Sequence, residues 1–161
     1  MASINQTLLI ASITIIFTIT TTTAAAAIVS SSDIYDILTQ YGLPIGIIPN
    51  AVESYTLSPT DGSFTVHLTR PCYVQFDDQT VYYNKLIQGK LTYGSVSDVT
   101  GIQAKQLFLW LSVTGMDLDA NSGMVEFHVG VLSKKLPADM FEDVPDCKSK
   151  ACVHESNAQS M

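Results

Sequence analysis

Residues 63–69 read SFTVHLT, with Phe64, Val66 and Leu68 alternating against Thr65, His67 and Thr69. An alternation of period two predicts a half-buried β-strand, because successive side chains leave a strand on opposite faces. Asp61-Gly62 just before it is turn chemistry, and it predicts a hairpin with residues 52–58. The same pattern continues downstream. Cys72–Phe76 and Thr80–Asn84 flank Asp77-Asp78-Gln79 as a second hairpin, and residues 86–93 and 96–100 follow, separated near Gly94. Ile102–Thr114 is the longest predicted strand, Met116–Gly123 an acidic loop, and Met124–Ser133 a further strand. Lys134–Pro137 then closes the sheet, and Ala138–Phe141 forms one helical turn.

Upstream the period changes. In 31–41, SSDIYDILTQY, the residues Ile34, Ile37, Leu38 and Tyr41 share one helical stripe. Ser31 or Ser32 can cap this helix, Asp33 and Asp36 suit its first turn, and Gly42 and Pro44 end it. Residues 43–50, LPIGIIPN, form an apolar connector broken by proline and glycine. One amphipathic helix followed by seven or eight short strands predicts a mainly β (α+β) domain. The expected architecture is a single antiparallel, barrel-like sheet curled around or packed on that helix.

The chain has 161 residues, 47% of them hydrophobic and only 14% charged, with a net charge of −7. Part of the apolar excess lies in Leu8–Ile19, LLIASITIIFTI, followed by TTTAAAAIVSSS with its Ala-x-Ala patterns. This is the layout of a secretory signal peptide, predicted over residues 1–27, although no Lys or Arg precedes Arg70. The run is shorter than the roughly 20 residues needed to cross a bilayer, so no transmembrane segment is expected in the mature chain. The sequon Asn5-Gln6-Thr7 falls in the discarded segment. Residues 28–147 are then one β-rich domain, a monomer, and 148–161 a polar, unpatterned tail. With eight Lys and Arg against fifteen Asp and Glu, the chain lacks the basic clusters that nucleic acid requires.

One segment departs from half-burial. In Gln106–Val113, QLFLWLSV, the residues Leu107, Leu109, Leu111 and Val113 alternate with Phe108 and Trp110, so both faces are apolar. Such a strand must be covered on both sides. The chain's own helix can do this, or Leu107, Phe108, Leu109, Trp110 and Leu111 can line a cavity for an apolar ligand.

Catalytic and metal motifs are sparse. There is no Gly-x-Ser-x-Gly elbow, although Ser95 and Ser97 lie in a turn-rich stretch and His67 and His128 are available as bases. Asp117, Asp119 and Asn121 imitate the start of a calcium loop, but Ser122 stands where glycine is needed and His128 where the bidentate Glu is needed. Glu126 and His128 share a strand face, and a pair is not a metal site. No metal and no cofactor is therefore expected. Of the three cysteines, Cys147–Cys152 would close a small loop in the tail, whereas Cys72–Cys147 would tie the C-terminus to the sheet. The longer loop stabilises more, contributing about 4 kcal/mol in the loop-entropy picture, which favours the second pairing.

The chained elements PCYV, GKLTYGS, GIQAKQLFLWLSV and SKKLP…FEDVPDC resemble the plant family catalogued as domain of unknown function 538, from about Asp33 to Cys147. The resemblance implies an often secreted protein whose small antiparallel sheet with helix is likened to the lipid-binding bactericidal/permeability-increasing protein. It also implies amphiphile or chlorophyll binding, or an esterase-like activity on such ligands. No catalytic motif transfers with it. Cys72 and Cys147 match the family's usual cysteines, and Cys152 is extra. The leading expectation is a secreted, non-enzymatic binder of a lipid, pigment or other amphiphile. The alternatives are an esterase using Ser95 or Ser97 with His67 or His128, and an apoplastic structural or signalling protein whose acidic surface meets a basic partner.

Overall fold

Helix α1 spans Asp33–Gln40 and places Ile34 and Leu38 one turn apart on its buried side. It ends in a glycine cap. Gly42 adopts a left-handed φ of 69°, the Leu43 N–H bonds the Leu38 carbonyl at 2.8 Å, and the Gly42 N–H bonds Thr39 at 2.9 Å. The computed structural model describes residues 33–150. The predicted signal peptide, the Ser31/Ser32 cap and Cys152 therefore lie outside the described residues. After α1 the connector makes a single 3-10 turn at Ile45–Ile47, and Ile47 and Ile48 are buried. Two phenols pin it. The Tyr83 hydroxyl donates to the Ile47 carbonyl and the Tyr35 hydroxyl to the Pro49 carbonyl, each at 3.0 Å.

Eight strands follow: β1 Val52–Leu57, β2 Ser63–Leu68, β3 Cys72–Phe76, β4 Gln79–Thr92, β5 Ser95–Gln106, β6 Leu109–Asp119, β7 Met124–Val129 and β8 Leu132–Pro137. All pairings are antiparallel, in the order β1-β2-β4-β5-β6-β7-β8, with β3 also paired to β4. The mainly β expectation holds, and so do the hairpins around Asp61-Gly62 and Asp77-Asp78. The sheet curls but does not close, so the barrel-like expectation becomes an open sheet. Long β4 carries two partners in turn: β3 along Gln79–Tyr83, then β2 along Leu86–Lys90. Between these stretches the β4–β5 register shifts. Gly101, at φ 87°, lies so close that a Cβ would stand 2.1 Å from the Leu86 carbonyl oxygen, and this bend curls the sheet.

Several boundaries differ from the sequence reading. The predicted strands Thr80–Asn84 and 86–93 are one continuous strand, β4, and 96–100 joins the first part of Ile102–Thr114 in β5. Met116–Asp119, expected in the acidic loop, continues β6. The predicted strand Ile102–Thr114 is two strands, reversed at Leu107-Phe108, with Leu107 in the left-handed region at φ 54°. The predicted strand Met124–Ser133 is likewise two, turning at Gly130-Val131 with Gly130 at φ 61°. Downstream, Ala138–Phe141 forms the expected helical turn, here 3-10. Phe141 from that turn packs its ring 4.9 Å from Phe76 and 5.2 Å from Phe127. Lys148, placed by the sequence reading at the start of the tail, instead pairs with Tyr73 through two backbone hydrogen bonds of 3.0 Å.

Candidate functional site

The concave side of the sheet is not filled. Between it and the covering turns lies a cavity of about 100 Å³. Ile34 and Leu38 of α1, Ala104 of β5, Val113 of β6, and Phe141 are among its walls. Strand parity explains this lining: alternate residues along β4, β5 and β6 turn inward, and nearly all of them are aliphatic or aromatic.

Three inward positions break the apolar rule at one end of the cavity: Gln79 on β4, Gln106 on β5 and Lys134 on β8. The Gln79 carboxamide oxygen accepts from Lys134 Nζ at 2.9 Å and from Gln106 Nε2 at 3.1 Å. Its nitrogen donates to the Lys105 carbonyl at 2.6 Å, which fixes the amide's orientation. Gln79 is buried at 6% exposure, and Lys134 is half-buried with no ion pair among the described residues. The arrangement is a polar collar on an apolar chamber: one ammonium, held by a neutral carbonyl and making no ion pair among the described residues. An anion placed beside this ammonium would gain a charge-assisted hydrogen bond, which is stronger than one between neutral groups.

The five residues expected to line a cavity stand elsewhere. Leu107 and Phe108 form the tip of the β5–β6 hairpin and are 88% and 94% exposed, and Leu109 beside them is also exposed. Trp110 lies on the convex face, with ring centroids 5.9 Å from Tyr73 and 6.3 Å from Tyr82. Leu111 packs half-buried on the small cluster of Ala104, Val113 and Val129. None of the five is a wall of the chamber. The α1 stripe, expected to cover this strand, instead roofs the chamber. The collar residues escaped the sequence reading because a polar residue on a short strand normally marks its wet face. The signal that could have found them is parity: Gln79, Gln106 and Lys134 stand two positions from Val81, Ala104 and Leu136.

The polar network on the convex face was only partly anticipated. Asp117 accepts from the Ser95 hydroxyl at 2.6 Å and meets His128 Nε2 at 2.6 Å, while His128 Nδ1 lies 3.2 Å from the Ser133 hydroxyl. Hydrogen bonds from Ser95 and then His128 hold the Asp117 carboxyl below the usual carboxylate range. Thus Ser133 is the serine that hydrogen-bonds a histidine among the described residues, Ser95 reaches the network only through Asp117, and His67 is exposed on β2. In this arrangement the Asp117 carboxylate orients the His128 ring, and the Ser133 hydroxyl lies on its other nitrogen. Acyl transfer also needs donors aimed at an oxyanion, and sheet N–H groups run within the sheet rather than out of the face that carries the network. In the acidic loop, the Asp119 carboxylate accepts from the Asn121 and Ser122 N–H groups and so closes the turn.

Cys72 and Cys147 are buried thiols in contact. The Lys148–Tyr73 pairing and the Arg70 guanidinium, 2.9 Å from the Cys147 carbonyl, hold the second against the first. Burial, and then the neighbouring thiol, push the Cys72 thiol well above its ordinary value, so it is neutral.

An uncharacterized protein of Arabidopsis thaliana is 32% identical to this chain over 108 residues, which cover 66% of this chain and 61% of that relative's length. The sequence model of the family described as "Protein of unknown function, DUF538" matches residues 34–142, from the first buried residue of α1 to the end of the Phe141 turn. The matched span contains every strand and all three collar residues, and on that span this chain belongs to the DUF538 family.

Proposed function

We propose that this chain is a non-enzymatic binding domain for an amphiphile with a single slender apolar tail and an anionic head. The observation that carries the reading is Lys134, an ammonium at the mouth of an apolar chamber that donates to a neutral amide and makes no ion pair among the described residues. The volume restricts the tail. Pockets for drug-sized ligands hold roughly 300–1,000 Å³, so about 100 Å³ fits part of one alkyl chain rather than a pigment ring. The test is calorimetric titration with straight-chain carboxylates of increasing length. Affinity should rise by up to about 0.8 kcal/mol per buried methylene and then level off, with a negative heat-capacity change. Ala104→Phe, which fills the chamber from β5, should abolish the rise. If no chain length binds, or Ala104→Phe binds as the parent does, the reading fails.

The same reading places the protein outside the cell, after removal of residues 1–27, with Cys72 and Cys147 joined. The signal-peptide layout and the contact between the two thiols support it. Protein from the extracellular fluid should then start near residue 28 and yield a Cys72–Cys147 cross-linked peptide on non-reducing digestion. A start at Met1, or free thiols at both positions, would count against it.

A further inference from the structure

We propose that the hairpin tips around the collar form a docking surface that inserts into a zwitterionic phospholipid interface. At the end of the sheet that holds the collar, the β5–β6 turn presents Leu107 and Phe108, and the β7–β8 turn presents Val131, fully exposed, and Leu132, 59% exposed. Apolar side chains this exposed, gathered on neighbouring turns, mark an interaction site. A second observation points the same way. Leu107 holds a left-handed φ of 54°, a conformation that a turn ordinarily gives to glycine or asparagine. Folding alone would favour one of those residues there, so the exposed leucine sits in this turn at a conformational cost.

The layering behind the tips matches a lipid interface rather than a protein partner. Lys105 and Trp110 are cross-strand partners two positions from the turn, about 7 Å behind it at the strand rise. Interfacial elements bury roughly 5–10 Å of their depth, so apolar tips at that depth would leave Trp110, with Tyr73 and Tyr82 beside it, at headgroup level. Lys105 and Lys134 flank the tips without an ion pair among the described residues and complement lipid phosphates. Asp77 and Asp78, exposed on the adjoining β3–β4 turn, balance these two cations, so the rim has no net preference for an anionic surface. A pair of narrow turns is also a poor platform for the roughly 1,200–2,000 Å² that a stable protein interface buries. The proposal goes beyond the cavity reading and does not require the chamber to be filled.

The test uses the mature chain from residue 28, phosphatidylcholine vesicles, and Trp110, the only tryptophan, as reporter. Expected are co-sedimentation with the vesicles, a blue shift of Trp110 emission, and little change between low and high salt. The double variant Phe108→Asp with Val131→Asp should weaken vesicle binding at least tenfold while melting as the parent does, because both side chains are solvent-exposed. Ala104→Phe should still dock, which separates failure of the cavity reading from failure of this one. Equal binding by parent and double variant overturns the proposal. So does binding that appears only with phosphatidylglycerol and vanishes in high salt. Loss of a solution dimer in the double variant, with no vesicle binding by the parent, would assign the tips to self-association and overturn it as well.

Discussion

Phe141→Ala is expected to lower the unfolding free energy by about 3–5 kcal/mol, the range for a buried phenylalanine truncated to alanine. Phe141 is 2% exposed and is wedged between Phe76 and Phe127, with centroids 4.9 and 5.2 Å away. It is the one buried residue of its 3-10 turn, which is otherwise held by half-buried Ala138 and Met140 and by the Ala138 N–H bond to the Gly123 carbonyl at 2.9 Å. The cost should fall toward the upper part of the range for a specific reason. The ring already borders a chamber, and its removal enlarges an existing void instead of creating a small one that neighbours can close. Gly46 reinforces the constraint, because its α-carbon side lies against the Phe141 carbonyl, where a Cβ would stand 2.5 Å away. Denaturant unfolding should show a lower midpoint with an unchanged slope. A straight-chain carboxylate should restore part of the loss if it binds only the folded state. A loss under about 1 kcal/mol would mean that the turn is not an end wall of the core.

The fold was legible where local chemistry and strand parity agree. Phe64, Val66 and Leu68 show which face of β2 is buried, Asp61-Gly62 reverses the chain before it, and the structure realises both. Leu107-Phe108 was illegible for the converse reason. Turn signals rest on residues that tolerate positive φ, and Leu107 is not one of them, so two strands read as one. The error displaced the candidate site. Once the chain reverses at Leu107, the residues from Leu107 to Trp110 move from a supposed cavity wall to the rim and outer face. The collar was hidden at a different level. Gln79, Gln106 and Lys134 are far apart in sequence, and only the curl of the sheet brings β8 across to β4. No window on the sequence contains that contact. The pairing of Lys134 with Phe127, an inward residue, is what reveals that a lysine occupies the buried parity.

Lys134→Glu is expected to lower affinity for a straight-chain carboxylate at least tenfold, about 1.4 kcal/mol, and to leave affinity for the alcohol of equal length nearly unchanged. A hydrogen bond to a charged group contributes about 1.5–3 kcal/mol net, and the variant replaces that attraction with repulsion between two carboxylates. The wild-type ammonium spends one bond on Gln79 at 2.9 Å and leaves its remaining N–H groups for a head at the mouth. Lys134→Met separates the charge from the stem. It preserves the apolar body that packs near the collar and removes only the head, so it should lose carboxylate affinity by a smaller factor than the glutamate and keep the alcohol affinity. Gln79 should hold its place in both variants, because its amide nitrogen remains bound to the Lys105 carbonyl at 2.6 Å. Equal loss for carboxylate and alcohol would show that Lys134 acts by shaping the mouth rather than by charge. Unchanged affinity for both would place the anionic head at some other part of the chamber and remove the collar from the site.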